Sequence, residues 1–238
     1  IVTVNMKTHK ILLTSIPRDY YIPVYGTNGI KDNLSFIGVN DIDTRAKSIE
    51  NYFGINFDYY LKINTSSLVE IVDAVGGIEY CSDASYTTTH ATILNSYDDS
   101  KGKKLYVKKG CQHLNGIEAL TVARERNAFV DRDRQRQKNC QAIIIDIFDK
   151  LKSVNTLTNY TNILNSLGDL YETTLPRDII EQIMKDTIDG ANWSFDNQSV
   201  DGIGGTDLVH LNSMKSWVMY PTDETIVSAK TKINEILK

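Results

Sequence analysis

Long apolar runs are missing from this 238-residue chain. The longest, Ala142-Ile143-Ile144-Ile145, stops at Asp146, far short of the ~18 residues that a membrane-spanning helix needs. Cysteine and histidine are scarce as well. Cys81, Cys111 and Cys140 have neither CxxC nor Cys/His spacing, and His9, His90, His113 and His210 form no HxxxH pair, so nothing points to zinc. Positive charge is in deficit, with a formal net charge of -4, and a general nucleic-acid binder is excluded because phosphate neutralisation needs a basic face. Four prolines and fourteen glycines leave no material for a long linker. No Gly-x-Ser-x-Gly elbow is present and Ser228-Ala229-Lys230 is too short for a Ser-x-x-Lys pair, so serine hydrolase chemistry has no support. Gly202-Ile203-Gly204-Gly205 looks like a phosphate loop, but Asp207 occupies the third fingerprint position, which leaves a flexible turn.

What remains is an average soluble composition arranged as alternating strand and helix patterns. Residues 1–5 and 10–18 read as an antiparallel hairpin, and because Ile1 already opens a strand the native chain is expected to start upstream. A helix is expected over 43–53 with Gly54 past its end, then an aromatic-rich strand over 57–64. The next helix is capped by Asn64 or Thr65 and carries Leu68, Ile71, Val72 and Val75. A strand over 78–82, a polar loop over 83–104 and a short strand over 105–109 follow. Helices are expected over 117–124, 133–152, 157–167, 177–188 and 224–237, with strands over 193–200 and 217–220. His113 is assigned to a turn, and Tyr59, Tyr60, Trp193 and Trp217 to the core or its rim. The alternation implies an α/β fold, a single three-layer αβα domain over 1–238 with a central mixed sheet.

One segment stands apart. Residues 124–138 carry five arginines and one lysine against three acids, a local charge of +3. Arginine's planar fork binds phosphate in a bidentate manner, and each charge-assisted bond contributes ~1.5–3 kcal/mol. The competing interpretation is a solvated, salt-bridged helix start, with pairs worth ~0.2–0.5 kcal/mol each. At ~100° per residue Asp133, Arg136 and Cys140 share one helical face, and that face continues through Ile143 and Ile144 to Ile147 and Leu151. A stripe that is charged at the helix N-terminus and greasy beyond it suits an amphiphile with an anionic head, although packing against a sheet is the commoner use of its apolar part.

Ser15-Ile16-Pro17-Arg18-Asp19, Leu114-Asn115-Gly116-Ile117-Glu118-Ala119-Leu120, Ala123-Arg124-Glu125-Arg126 and Asp133-Arg134-Gln135-Arg136, in this order, resemble the LytR-CpsA-Psr family over most of the chain. The resemblance implies an extracytoplasmic enzyme of Gram-positive-type bacteria, tethered through an N-terminal membrane helix. Such enzymes transfer a glycopolymer, wall teichoic acid or capsular polysaccharide, from a polyprenyl-pyrophosphate carrier to peptidoglycan. It places Arg18, Arg124, Arg126 and Arg136 around the pyrophosphate and Asp133 at the acidic position, with Asp133, Arg124 and Arg126 as catalytic candidates. Lys31-Asp32-Asn33 resembles the family's Lys-x-Asn motif but can equally form a turn. Gln137 and Cys140 depart from the usual Gly and Gln. The magnesium-binding aspartates are expected upstream of Ile1, so no residue of this chain is assigned to the metal.

Three expectations follow from that resemblance. An extracytoplasmic location permits a Cys81–Cys111 disulfide; the alternative is two buried free thiols, with Cys140 unpaired in either case. Ile144 and Ile147 become candidates to line an apolar groove for the polyprenyl chain. A non-catalytic module that binds polyprenyl phosphate or pyrophosphate remains the alternative function, to which Cys140 gives some weight. A transcription regulator does not, because the chain is acidic and has no helix-turn-helix pattern.

Overall fold

In a computed structural model, residues 1–39, 41–92, 102–152, 171–211 and 213–238 are described. The expected helix over 157–167 lies outside them. Contacts divide the chain into two compact units, Ile1–Asp58 with Trp193–Lys238, and Tyr59–Asn192. Both are mixed α/β.

In the first unit the opening hairpin forms as the alternation predicts. Strand β1 (Val2–Asn5) pairs antiparallel with β2 (Lys10–Ser15), Val2 opposite Leu13. The run Ile11-Leu12-Leu13-Thr14 is buried at every position, the signature of a strand covered on both faces. Accordingly β2 is central: β11 (Ser194–Ser199) joins it in parallel, giving a three-stranded mixed sheet. The final helix of the chain, α6 (Asp223–Leu237), packs on β1 and β2 and buries Ile226, Ala229 and Ile233 at helical spacing. Helix α1 (Ile42–Phe53) starts on the Asp41 cap and stops at Gly54; its Phe53 is fully buried with Tyr20, Ile22 and Ile37.

Two short hairpins complete this unit, β3 (Tyr21–Pro23) with β4 (Lys31–Asn33) and β12 (Gly202–Val209) with β13 (Met214–Pro221). Residues 202–205 are therefore strand, not the turn the glycines suggested. Their lack of side chains makes room for neighbours: a Cβ on Gly204 would lie 3.0 Å from the Trp217 ring, and one on Gly205 would crowd the Tyr220 ring. Lys31-Asp32-Asn33 is likewise strand.

The second unit begins with β5 (Leu61–Ile63), shorter than the aromatic strand expected over 57–64, paired with β10 (Tyr171–Thr173). Helix α2 (Thr65–Ala74) is capped by Asn64 in a reciprocal box with Ser67. Strands β6 (Ile78–Ser82) and β9 (Gly110–Leu114) pair directly, and β7 (Tyr86–Ala91) pairs with β8 (Lys104–Val107). The loop expected over 83–104 thus holds a strand that its three consecutive threonines disguised. Their β-branched side chains favour extended backbone, and buried Thr88 donates to the His90 carbonyl and accepts from the Leu105 N–H. His113 sits on β9, exposed and 3.3 Å from Glu79, rather than in a turn.

Helices α3 (Gly116–Arg124), α4 (Asp133–Lys152) and α5 (Arg177–Ile188) complete the unit. A Cβ on Gly116 would collide with the Val69 carbonyl, so glycine there is what lets α3 approach α2. Val72, Ile78, Tyr80, Val107, Val122 and Ile143 make the core.

On α4, Asp146 contributes a defect to this packing. Burial, with the charges of Asp149 and Glu79 adding to it, pushes its pKa up to about 6, and its Oδ2 has no hydrogen-bond partner among the described residues. The folded state keeps a proton that the unfolded chain releases near 3.8, so stability falls as pH rises between those values. Asp146→Asn is expected to stabilise the fold at pH 7 by on the order of 1 kcal/mol after solvent screening, raising the melting temperature there, and to change little near pH 3. Thermal melts at both values check this; an equal gain at both would remove the carboxylate charge as its cause.

Candidate functional site

The arginine cluster straddles the exit of α3 and the start of α4. Asn115 and Glu118 form the box that starts α3, and Ala119, Leu120 and Val122 bury its inner face, so the position of its last residue, Arg124, is fixed. At Glu125 the backbone turns extended and the helix ends. Arg124 and Arg126 flank this exit, both half-buried. The Arg126 guanidinium has no ion pair or hydrogen bond to any described residue.

Glu125 was not singled out by the sequence reading, yet its side chain is fully buried. Its Oε1 accepts the backbone N–H groups of Arg126 (2.9 Å), Asn127 (2.8 Å) and Ala128 (2.9 Å). Its Oε2 accepts the Thr89 N–H, and the Thr89 hydroxyl lies 3.0 and 3.1 Å from the two oxygens. Burial alone would raise its pKa, but the Ala128, Thr89 and Asn127 donors outweigh burial and hold the carboxyl below the ordinary glutamate value.

The start of α4 is stitched to the end of α3. Asn139, buried, donates to the Val122 carbonyl at 3.2 Å and accepts from the Tyr80 hydroxyl and the Gln135 amide, each at 3.0 Å. The Cys140 thiol points at the Ala123 carbonyl, 3.5 Å away. Burial raises its pKa; Arg136 pulls it down and Asp133 adds to the rise. The Asn139 bond adds to the Glu125 N–H already on the Val122 carbonyl, and the Cys140 thiol faces the Ala123 carbonyl in the same last turn of α3. On the same face Arg136 Nη2 lies 3.3 Å from Asp133 Oδ1, a charge contact rather than a well-formed hydrogen bond. Arg124, Arg126, Asp133 and Arg136 therefore belong to one joined pair of helix ends in the second unit.

Arg18 belongs to the first unit. Its side chain is half-exposed, with Nε 3.5 Å from Asp19, whose other oxygen accepts the Asn33 amide at 3.2 Å. Asp32, between Lys31 and Asn33, is buried and accepts the N–H groups of His210 and Leu211 at 3.0 and 2.9 Å. Both residues have left-handed φ, so Asp32 holds the β12–β13 turn.

The apolar half of α4 divides. Asn139, Ile143 and Ile147 follow at four-residue spacing on the core face: Ile143 is buried and Ile147 packs against the core of the second unit. Ile144, one position round the helix, is 45% exposed. Of the two lipid-facing candidates only Ile144 is presented outward. Cys81 and Cys111 face each other in the β6–β9 register and form a disulfide. Cys140 is a free thiol. Among the described residues no group of three or more His, Cys, Asp or Glu side chains is placed to hold a metal ion. They do not by themselves fit a magnesium site. No described helix is long and apolar enough to cross a membrane.

The profile of the LytR_cpsA_psr family matches residues 1–233. The polyisoprenyl-teichoic acid–peptidoglycan teichoic acid transferase TagU of Enterococcus faecalis is 30% identical over 187 residues, which are 78% of this chain and 57% of that protein. TagU of Bacillus cereus AH820 is 26% identical over 239 residues, 100% of this chain and 72% of the relative. Bacillus subtilis TagV superposes with a TM-score of 0.79 at 22% identity, covering 99% of this chain and 87% of TagV. A TagT structure bound to LIIa-WTA gives a TM-score of 0.76 at 22% identity, covering 99% and 83%. The chain thus spans less than two thirds of the E. faecalis relative and shares the fold of TagV and TagT. With the profile covering nearly its whole length, the chain belongs to the LytR_cpsA_psr family.

Proposed function

We propose that this chain carries a phosphotransferase site that moves a teichoic-acid-type glycopolymer from a polyprenyl-pyrophosphate carrier to peptidoglycan. The observation that carries the reading is half-buried Arg126, whose guanidinium no described residue neutralises, next to Arg124 at the joined ends of α3 and α4. A partly desolvated cation without an internal partner is the arrangement expected where the anion is the ligand. The names of the TagU relatives and the LIIa-WTA bound to TagT add support for teichoic acid over capsular polysaccharide.

In this mechanism Arg124, Arg126 and Arg136 hold the pyrophosphate. An acceptor hydroxyl of peptidoglycan attacks the glycan-proximal phosphorus, and the bond from that phosphorus to the bridging oxygen breaks. Polyprenyl phosphate leaves, the hydroxyl proton passes to that leaving phosphate or to water, and the glycan stays joined to the acceptor by a phosphodiester. The arginines stabilise charge growing on the leaving phosphate, which is where preorganised donors lower a barrier most. Asp133, 3.3 Å from Arg136, is assigned to orient that arginine in preference to taking the hydroxyl proton. Magnesium, where bound, would supply further charge stabilisation from carboxylates outside the described residues. The exposed face of α4 at Ile144 is the proposed contact for the lipid chain. An extracytoplasmic, membrane-anchored setting is part of the proposal, supported by the disulfide, which persists in oxidising compartments. So is the three-layer αβα order of the fold.

Cys140 favours the second reading, a non-catalytic carrier-binding module, because a raised-pKa thiol replaces the family's usual amide beside Arg136. Turnover separates the two. With lipid-linked glycan and peptidoglycan together, the transferase releases polyprenyl phosphate in amounts exceeding the protein; a binder retains at most one equivalent of lipid and releases none.

A further inference from the structure

A carboxylate placed between two arginines would ordinarily be read as their ion-pair partner, and its position in the sequence invites that reading of Glu125. The hydrogen bonds argue otherwise. Oε1 is filled by three successive N–H groups, from Arg126, Asn127 and Ala128, and Oε2 by the Thr89 N–H, with the Thr89 hydroxyl within reach of both. Backbone donors converging in this way form the concavity that elsewhere binds a free anion. Here the anion is the protein's own, fully buried side chain.

The two oxygens do different work. Oε1 curls the chain immediately after α3, setting the direction in which Arg126 leaves the backbone relative to Arg124. Oε2 ties that curl to Thr89 on β7, so the turn is anchored to the sheet as well as to the helix. Because its acceptor sites are taken up by these donors, the carboxylate leaves Arg126 without a partner among the described residues.

We infer that Glu125 is a positioning residue, whose carboxylate shapes the turn after α3 so that Arg124 and Arg126 act on one pyrophosphate. The inference rests on the proposed role of that arginine pair. It concerns geometry rather than charge, so its distinctive consequence is in ligand discrimination. Two arginines held at a set spacing grip a pyrophosphate much better than a monophosphate; two arginines on a loosened turn lose that preference first.

Glu125→Gln separates the two functions. The amide oxygen can still accept from the 126–128 turn, but an NH₂ now faces the Thr89 N–H, donor against donor. The experiment measures affinity for geranylgeranyl pyrophosphate and geranylgeranyl monophosphate at a temperature well below the melting transition. The wild type, Glu125→Gln, Arg124→Ala and Arg126→Ala are compared. In Glu125→Gln the preference for pyrophosphate is expected to fall roughly ten-fold, the scale of one charge-assisted bond, with monophosphate affinity nearly unchanged. A purely structural residue would lower the folded fraction and weaken both ligands equally, leaving the ratio intact.

If both arginine variants lose the preference while folded Glu125→Gln keeps it, the positioning role is overturned and the pyrophosphate site stands. If neither arginine variant changes the preference, the site reading itself fails and takes the inference with it. Should Glu125→Gln not fold, Thr89→Val removes the hydroxyl donor and keeps the backbone one. A drop in the ratio of up to about ten-fold is then expected, the scale of a single hydrogen bond to a charged carboxylate, and an unchanged ratio overturns the role.

Discussion

Replacing Arg124 or Arg126 by Ala weakens binding of a lipid pyrophosphate by about 1.5–3 kcal/mol each, roughly ten- to hundred-fold, while the melting temperature hardly moves. The separation of the two effects is the point. The Arg126 guanidinium has no ion pair or hydrogen bond to any described residue, so truncating the side chain removes no polar bond that holds the fold together. Arg124 ends a helix whose buried residues and capping box lie upstream of it. Titration calorimetry with geranylgeranyl pyrophosphate, beside thermal melts, reads both quantities. Unchanged affinity in both variants would return the cluster to a solvated helix face. A fall in stability matching the fall in affinity would make it part of the fold.

Opening the Cys81–Cys111 bridge costs more than either arginine. The two residues are 30 positions apart, and on chain-entropy grounds a closed loop of that size contributes about 3–4 kcal/mol by restricting the unfolded chain. At ~2–4 °C per kcal/mol for a protein of this size, that is a drop of around 10 °C in melting temperature. The loss bears on the site because the bridge joins β6 to β9, and β9 ends at Leu114, immediately before the Asn115 cap of α3. The double variant Cys81→Ser/Cys111→Ser, or the wild type melted in reductant, is expected to show the drop in the transition of the second unit. A melt insensitive to reductant would mean that the bridge adds nothing beyond the β6–β9 pairing.

The parts of this molecule legible in its sequence are those where one signal dominates. Helix α4 has its expected bounds because twenty residues keep a helical pattern from Asp133 to Lys152, and α1 stops where Gly54 follows Phe53. The hairpin of β1 and β2 follows from alternation in one strand and a solid apolar run in the other. At 202–205 tertiary contacts overrode local preference, because Trp217 and Tyr220 lie across the three glycines. At 87–89 the extended preference of the three threonines was hidden by their polarity, and β8 pairs with the strand they form.

The site divides in the same way. The arginines were legible because their density is unusual for an acidic chain, and Asp133 because it starts a long helix. Glu125 was hidden by them. It counted as one acid in a local charge sum, although a glutamate at the residue where a helix ends without glycine is a place to look for a carboxylate bonded to the following turn. Ile144 and Ile147 part company because a helical stripe wide enough to hold both spans two faces, and a sequence does not say which of them meets the core.

In the proposed reaction phosphorus passes from carrier to peptidoglycan with the glycan. Lipid-linked glycan carrying a phosphorus label in one position of the pyrophosphate at a time follows that transfer. With the protein and peptidoglycan present, label at the glycan-proximal position is expected to appear in the peptidoglycan, and label at the lipid-proximal position in free polyprenyl phosphate. Substituting Arg124 and Arg126 together should suppress both transfers. Lipid-proximal label in the peptidoglycan, or neither label moving while the lipid stays bound, would contradict the transferase.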